Sequence, residues 1–250
     1  MDLELDGKRA LVTGGSRGIG KVIARVLASE GANVAIAARD QARLDSASAE
    51  LSAEAGRNVP AFSFEATDDR STREMVASAA TALGGIDILV NNAAQPGGHG
   101  RRDLASISME EFSSDLDVKV GGYLRCSQQA APLMAANGWG RIVNIGGRPA
   151  YLTGNTFSSM RCIAIAALTK NLADELGPTG ITVNLVHPGA TRTERTVEEN
   201  PPRPPNNVIG RIIESEEVAW LVAYLCSPKS TSVTGESISC AGGLPGAIWY

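Results

Sequence analysis

At 250 residues, the chain has room for one α/β domain with a large core or for two small domains. Hydrophobic residues make up 43 % and charged residues 20 %, the balance of a globular protein, and the net charge of −4 argues against nucleic acid as a main partner, because phosphate binding asks for a basic face. No apolar run approaches the ~18 residues of a membrane span, and the acidic start Met1-Asp2-Leu3-Glu4 lacks an apolar signal core. A cytoplasmic protein without membrane contact is therefore expected. Cys126, Cys162, Cys226 and Cys240 show neither Cys-x-x-Cys nor zinc-ligand spacing; they read as free thiols, and no metal site is expected.

Short apolar runs alternate with longer segments of helical period. Arg9–Thr13 predicts a strand, followed by a glycine loop and a helix through about Ser29. Asn33–Ala37 predicts the second strand and Gln41–Ala55 an Ala-rich helix. A short strand over Ala61–Glu65, a helix over Thr72–Leu83 and an apolar strand over Ile86–Asn91 come next. Glu110–Ala136 predicts one long helix and Arg141–Ile145 the following strand. Ser158–Leu176 predicts a second long helix, Ile181–Val186 a strand, Ser215–Cys226 a helix and Ser237–Ser239 the last strand. This alternation predicts an α/β fold of Rossmann type: a doubly wound parallel sheet with helices on both faces, one domain over residues 1–250. The prolines within Thr191–Val208 forbid helix or central strand, so that stretch is expected as a loop, with Pro201–Pro205 as a lid over a ligand.

The first strand runs into Thr13-Gly14-Gly15-Ser16-Arg17-Gly18-Ile19-Gly20. Glycines here allow a tight turn and close backbone approach to a diphosphate. The helix that follows offers unpaired N–H groups and a positive dipole end. The strand before, the helix after and a second strand about 20 residues on raise this above a lone glycine triplet. An acid at the end of that second strand would accept from the ribose 2′-hydroxyl of NAD. The sequence has Ala37-Ala38-Arg39 instead, and Arg39 with Arg17 could flank a 2′-phosphate, which favours NADP(H). The competing reading is two exposed arginines on loop tips.

With these segments the chain resembles the short-chain dehydrogenase/reductase family over nearly its whole length. Thr13-Gly14-x-x-x-Gly18-x-Gly20 is similar to that family's glycine motif, and Asn91-Asn92-Ala93-Ala94 to its Asn-Asn-Ala-Gly segment. Leu168-Thr169-Lys170 resembles the end of the catalytic helix, and Pro188-Gly189 with Thr193 the cofactor segment. The resemblance implies that Asn91 and Ala93 lie along the cofactor's ribose. It implies that Pro188, Gly189 and Thr193 border the nicotinamide, and that Asp68 or Glu65 lies near the adenine. It also implies a homo-oligomer, dimer or tetramer. Apolar and small residues on more than one face of the long helices (Ala164, Ala166, Ala167, Leu168) agree with that expectation.

The family's chemistry rests on a tyrosine acid, a lysine four residues on, a serine and an asparagine. By the resemblance those positions are Ser158, Cys162, Gly147 and Lys119, and all four differ. No Tyr-x-x-x-Lys occurs anywhere: Tyr123, Tyr151, Tyr224 and Tyr250 all lack it. A serine hydroxyl is far too weak an acid to replace a phenol, and a thiol at 162 carries no positive charge. Binding of NADP(H) is expected to survive, weakened by lost charge-assisted contacts. Candidate replacements are His187, Lys119, whose ammonium could reach toward the space at Cys162, and Tyr151; each also has a plain structural reading. His99 reads as loop, and Cys162 as a nucleophile lacks a visible base. The expected function is carbonyl/alcohol redox with a non-standard proton donor, on an unidentified small molecule. The alternatives are a redox-silent NADP(H)-binding sensor or oligomer partner, and a redox-free lyase or isomerase using Lys119 and His187.

Overall fold

The computed structural model describes residues 1–94, 104–147, 150, 152–153, 155–194 and 207–245. Its elements are β1 (Arg9–Thr13), α1 (Gly18–Ser29), β2 (Asn33–Ala38), α2 (Gln41–Ala55), β3 (Ala61–Ser63), α3 (Asp69–Leu83) and β4 (Ile88–Asn91). They continue with α4 (Met109–Leu116), α5 (Gly122–Ala135), β5 (Gly140–Ile145), α6 (Thr156–Leu176), β6 (Ile181–Pro188), β7 (Thr191–Arg192), β8 (Ile213–Glu214), α7 (Ser215–Cys226) and β9 (Ser237–Cys240). Seven strands form one sheet in the order β3-β2-β1-β4-β5-β6-β9, and every pair is parallel. The expected doubly wound parallel sheet is therefore present.

The central strands are apolar on both sides because helices cover both faces. Side chains of successive residues point to opposite faces, and the two cores divide accordingly. Ala10, Val12, Val34, Ile36, Ile88 and Val90 pack with α1, α2 and α7. Leu11, Ala35, Ala37, Leu89 and Ile142 pack with α3 and α5 on the other face. The order places a switch between β1 and β4, whose connections leave in opposite directions. The crevice at their C-terminal ends is where such sheets bind ligands.

Two expectations need correction. The single helix over Glu110–Ala136 is instead α4 and α5 joined by a π turn over Asp117–Gly121. Gly121 and Gly122 are weak helix formers, and the wider turn accommodates a contact their lack of side chain permits. A Cβ on Gly121 would stand 2.5 Å from Asp117 Oδ1 and 2.7 Å from Arg125 Nη1, two groups that pair across this turn. The stretch expected as loop from Thr191 begins as strand, since Thr191 and Arg192 pair with Ile213 and Glu214. Pro201–Pro205, the expected lid, lies outside the described residues.

Glycine in a helix normally costs about 1 kcal/mol relative to alanine. At Gly20 the sign reverses, because an added Cβ would lie 2.3 Å from both Asn92 Nδ2 and the Gly14 carbonyl oxygen. Gly20→Ala is expected to destabilise the fold by about 2 kcal/mol or more, measured by urea unfolding. A neutral or stabilised variant would refute this close approach.

Candidate active site

The cofactor end of the crevice is held by one side chain. Asn92 donates its amide to the carbonyl oxygens of Thr13 and Gly14, both at 3.1 Å. In return Thr13 Oγ1 accepts from the backbone N–H groups of Asn92 (3.0 Å) and Ala93 (3.1 Å). The turn after β1 is thus tied to the end of β4. Gly14 (φ +66°) and Gly18 (φ +57°) adopt backbone conformations open chiefly to glycine. Ser16, Arg17 and Ile19 are half-buried along the same turn, and Arg39 is exposed just past β2. Neither guanidinium has a partner among the described residues.

Helix α1 begins without help from its own sequence. Its N-cap, Arg17, makes no side-chain cap bond, and its first turn holds no acid. The Gly18 N–H instead donates to Glu194 Oε2 at 2.8 Å. A carboxylate therefore sits at the helix N-terminus, where the dipole and free N–H groups favour an anion. With two unpaired arginines beside the turn, these residues fit a dinucleotide bearing a further phosphate.

Other residues implied at the cofactor fall differently. Asn91 is fully buried and donates to Asn144 Oδ1 (2.9 Å) and Ser127 Oγ (3.2 Å), so it braces β4 against β5 and α5. Ala93, half-buried, remains at the rim. Asp68 caps α3, accepting from the Ser71 N–H at 2.5 Å, and Glu65 accepts from Thr67. Pro188 is buried, while Gly189 lies so close to Ala241 that a Cβ would stand 2.8 Å from its Cα. Thr193 lies beside Gly18.

The chemical end centres on Lys119, in the π turn. It is only 5 % exposed, and its Nζ donates to the Gly146 carbonyl at 3.0 Å. Burial pulls its ammonium down to about 8, a shift that the neighbouring Cys162 opposes and Arg161 assists. Gly146 precedes Gly147, the position implied for the serine; Ser158 and Cys162 are buried on α6. The ammonium comes to the Gly146 carbonyl, near Cys162 but bonded to the loop after β5. Below it lies a buried ion pair, Arg161 Nη1 to Asp115 Oδ1 at 2.6 Å, joining α6 to α4.

Both ring nitrogens of His187 are engaged by the protein itself. Its ring is buried, with Nδ1 within 3.0 Å of the Gly147 backbone and Nε2 2.9 Å from Ser237 Oγ. Burial drives its pKa down to about 4, so it is neutral at physiological pH and holds Gly147 in place. Tyr123 is likewise engaged: it is buried, donates to the Ile145 carbonyl at 2.9 Å, and burial raises its pKa well above the ordinary value. Tyr151 and His99 lie outside the described residues. Among the described residues no group of side chains could hold a metal ion. Sequence reasoning missed Thr13, Asn92, Glu194 and the Asp115–Arg161 pair. The Asn-Asn doublet was a signal for Asn92, whereas no local pattern links residues 46 or 176 positions apart.

A family model described as enoyl-(acyl carrier protein) reductase matches residues 14–245. Dehydrogenase/reductase SDR family member 4 of Bos taurus is 36 % identical over 250 residues, covering 96 % of this chain and 88 % of that protein. The 3-oxoacyl-(acyl-carrier-protein) reductase of Aquifex aeolicus is 34 % identical over 253 residues, covering 98 % and 100 %. Among solved structures, L-sorbose reductase from Gluconobacter frateurii, complexed with NADPH and L-sorbose, aligns with a TM-score of 0.90 at 27 % identity, covering 99 % and 100 %. A short chain dehydrogenase from Burkholderia cenocepacia in complex with NADP aligns with a TM-score of 0.84 at 34 % identity, covering 96 % and 98 %.

Lys119 and His187 tie stability to pH. Unfolded, the histidine takes up a proton near 6.5; folded, only near 4. Stability therefore falls as pH drops between those values. The lysine loses its proton near 8 when folded and near 10.5 when unfolded, so stability rises with pH across that window. Each slope approaches about 1.4 kcal/mol per pH unit. His187→Asn is expected to flatten the acid slope and Lys119→Met the alkaline one, read from urea melts over pH. An alkaline slope that survives Lys119→Met would show that the ammonium is not dehydrated.

Proposed function

Because the chain belongs to the short-chain dehydrogenase/reductase family of NAD(P)-dependent oxidoreductases, we propose that it interconverts carbonyls and alcohols with NADP(H), using the Lys119 ammonium as proton donor. One observation carries the reading: a buried ammonium, with its pKa drawn to about 8, stands beside the loop where the family's serine would act. General acids work best with a pKa near the working pH. NADP(H), when bound, supplies or accepts the hydride. Arg17 and Arg39 hold the 2′-phosphate, and the glycine turn with α1 receives the diphosphate. Lys119 gives its proton to the carbonyl oxygen in reduction and takes it back in oxidation. His187, neutral, fixes Gly147 and so the wall against which the substrate oxygen rests. With no lysine at 162 to anchor the ribose, the cofactor binds more weakly than it otherwise would.

The remaining expectations join this reading. Four cysteines without disulfides suit a reducing cytoplasm, and no helix among the described residues is long and apolar enough to cross a membrane. Met160 and Ile163 stand 48 % and 54 % exposed on one face of α6. A second copy of the chain is the proposed cover for that face.

NADPH consumption is to be followed at the reduced-nicotinamide absorbance band across a panel of carbonyls. The reductive rate is expected to fall as pH rises through about 8, and alcohol oxidation to rise. Lys119→Met is expected to lose about 100-fold or more. Saturable NADPH binding with no turnover on any carbonyl or alcohol would instead identify a redox-silent binder. Activity without nucleotide, lost in Lys119→Ala, would identify a redox-free enzyme. Light scattering is expected to give at least twice the single-chain mass, and Met160→Lys with Ile163→Lys to lower it; a wild-type monomer would sink the oligomer.

A further inference from the structure

Of the helices described above, those that start from a loop are otherwise capped from their own sequence. Asp40, Asp68, Ser108 and Asn155 cap α2, α3, α4 and α6, and Glu214 forms a capping box with Glu217 on α7. Among them helix α1 alone takes its cap from a distant residue. The Glu194 carboxylate accepts from the Gly18 N–H at 2.8 Å, and its other oxygen stands 3.9 Å from Lys21 Nζ. Lys21 is also paired with Glu50 at 2.6 Å. Anion binding at a helix N-terminus draws on these same N–H groups and this same dipole end. A carboxylate bonded to the Gly18 N–H competes with a diphosphate for this end.

We propose that Glu194 is an affinity-determining residue for the cofactor: an internal anion that holds the diphosphate position in the free protein and must leave when the dinucleotide enters. The inference rests on the NADP(H) reading above. Residues up to Arg192 are fastened, since Arg192 Nε pairs with Glu214 at 3.1 Å and its carbonyl accepts from Ser215 Oγ at 2.7 Å. Beyond that anchor, Thr193 packs against Gly18, and Glu194, half-exposed, reaches the helix end. Binding therefore exchanges one anion for another at α1. The free helix end is never left bare, and the cofactor gains only the difference between the two contacts.

The test compares wild type, Glu194→Gln and Glu194→Ala, with Glu30→Gln at the far end of α1 as a control for net charge. Each is titrated with NADPH by fluorescence and with adenosine 2′-monophosphate, which lacks the diphosphate, by calorimetry. Both Glu194 variants are expected to bind NADPH about fivefold tighter and adenosine 2′-monophosphate unchanged, with Glu30→Gln like wild type. Without ligand, thermal unfolding of the Glu194 variants is expected to shift down slightly as α1 loses its cap, and the upward shift on adding NADPH to grow. Unchanged or weaker NADPH binding in the Glu194 variants overturns the proposal while leaving the cofactor reading intact. Equal gains for the two ligands, or the same gain in Glu30→Gln, overturn it as a diffuse charge effect. No NADPH binding by any of the proteins overturns both readings.

Discussion

The side-chain amide of Asn92 is the contact on which the crevice depends. It bonds the carbonyls of Thr13 and Gly14, and so ties the turn after β1 to the end of β4 across the switch point of the sheet. The glycines on that turn follow from it. At Gly14 a Cβ would meet the Asn92 amide at 2.7 Å, and at Gly20 at 2.3 Å. Glycine here therefore serves the protein's own packing before it serves any ligand. With the turn pressed against Asn92, α1 starts abruptly at Gly18 and its first N–H groups face outward. An anion site results from a packing constraint between two strands.

At the other end of the crevice, a buried positive charge sits in the turn between α4 and α5. A lysine at 162 would have stood on α6; here the ammonium comes from Lys119 in the turn between α4 and α5. A second buried ammonium at 162 would face Lys119 at low dielectric, beside the Arg161–Asp115 pair. The thiol of Cys162 fits this crowding as a small buried group without positive charge. Burial has a further consequence. An ammonium stripped of water releases its proton more readily, which brings it toward the acidity that proton transfer near neutral pH requires. His187 is driven the same way and becomes a neutral strut.

The sheet, its helices and the glycine turn were legible because each follows from local pattern: continuous apolar runs for strands covered on both faces, glycines between strand and helix. The π turn at Asp117–Gly121 was not, because it departs from a helical period that the sequence otherwise maintains, and its lysine bonds Gly146, far along the chain. Lys119 itself was legible as a displaced charge, but its partner was not; the ammonium bonds a backbone carbonyl, which leaves no trace in side-chain pattern. Asn91 and Asn92 show the limit most sharply. Adjacent and identical in type, they take different partners: Asn91 bonds Asn144 and Ser127 in the core, and Asn92 bonds the turn after β1.

The stretch from His187 to Glu194 acts on both ends of the site. His187, still within β6, grips the backbone of Gly147 and sets the loop that carries the Lys119 contact. Seven residues later Glu194 supplies the anion at α1. Between them Gly189 is pressed against Ala241, and Arg192 is bonded to Glu214, so the segment is pinned twice before it reaches the helix. The two ends of the crevice are thus joined by one stretch of chain: the hold on Gly147, beside the Lys119–Gly146 contact, lies before the two anchors, and the carboxylate at α1 lies beyond them.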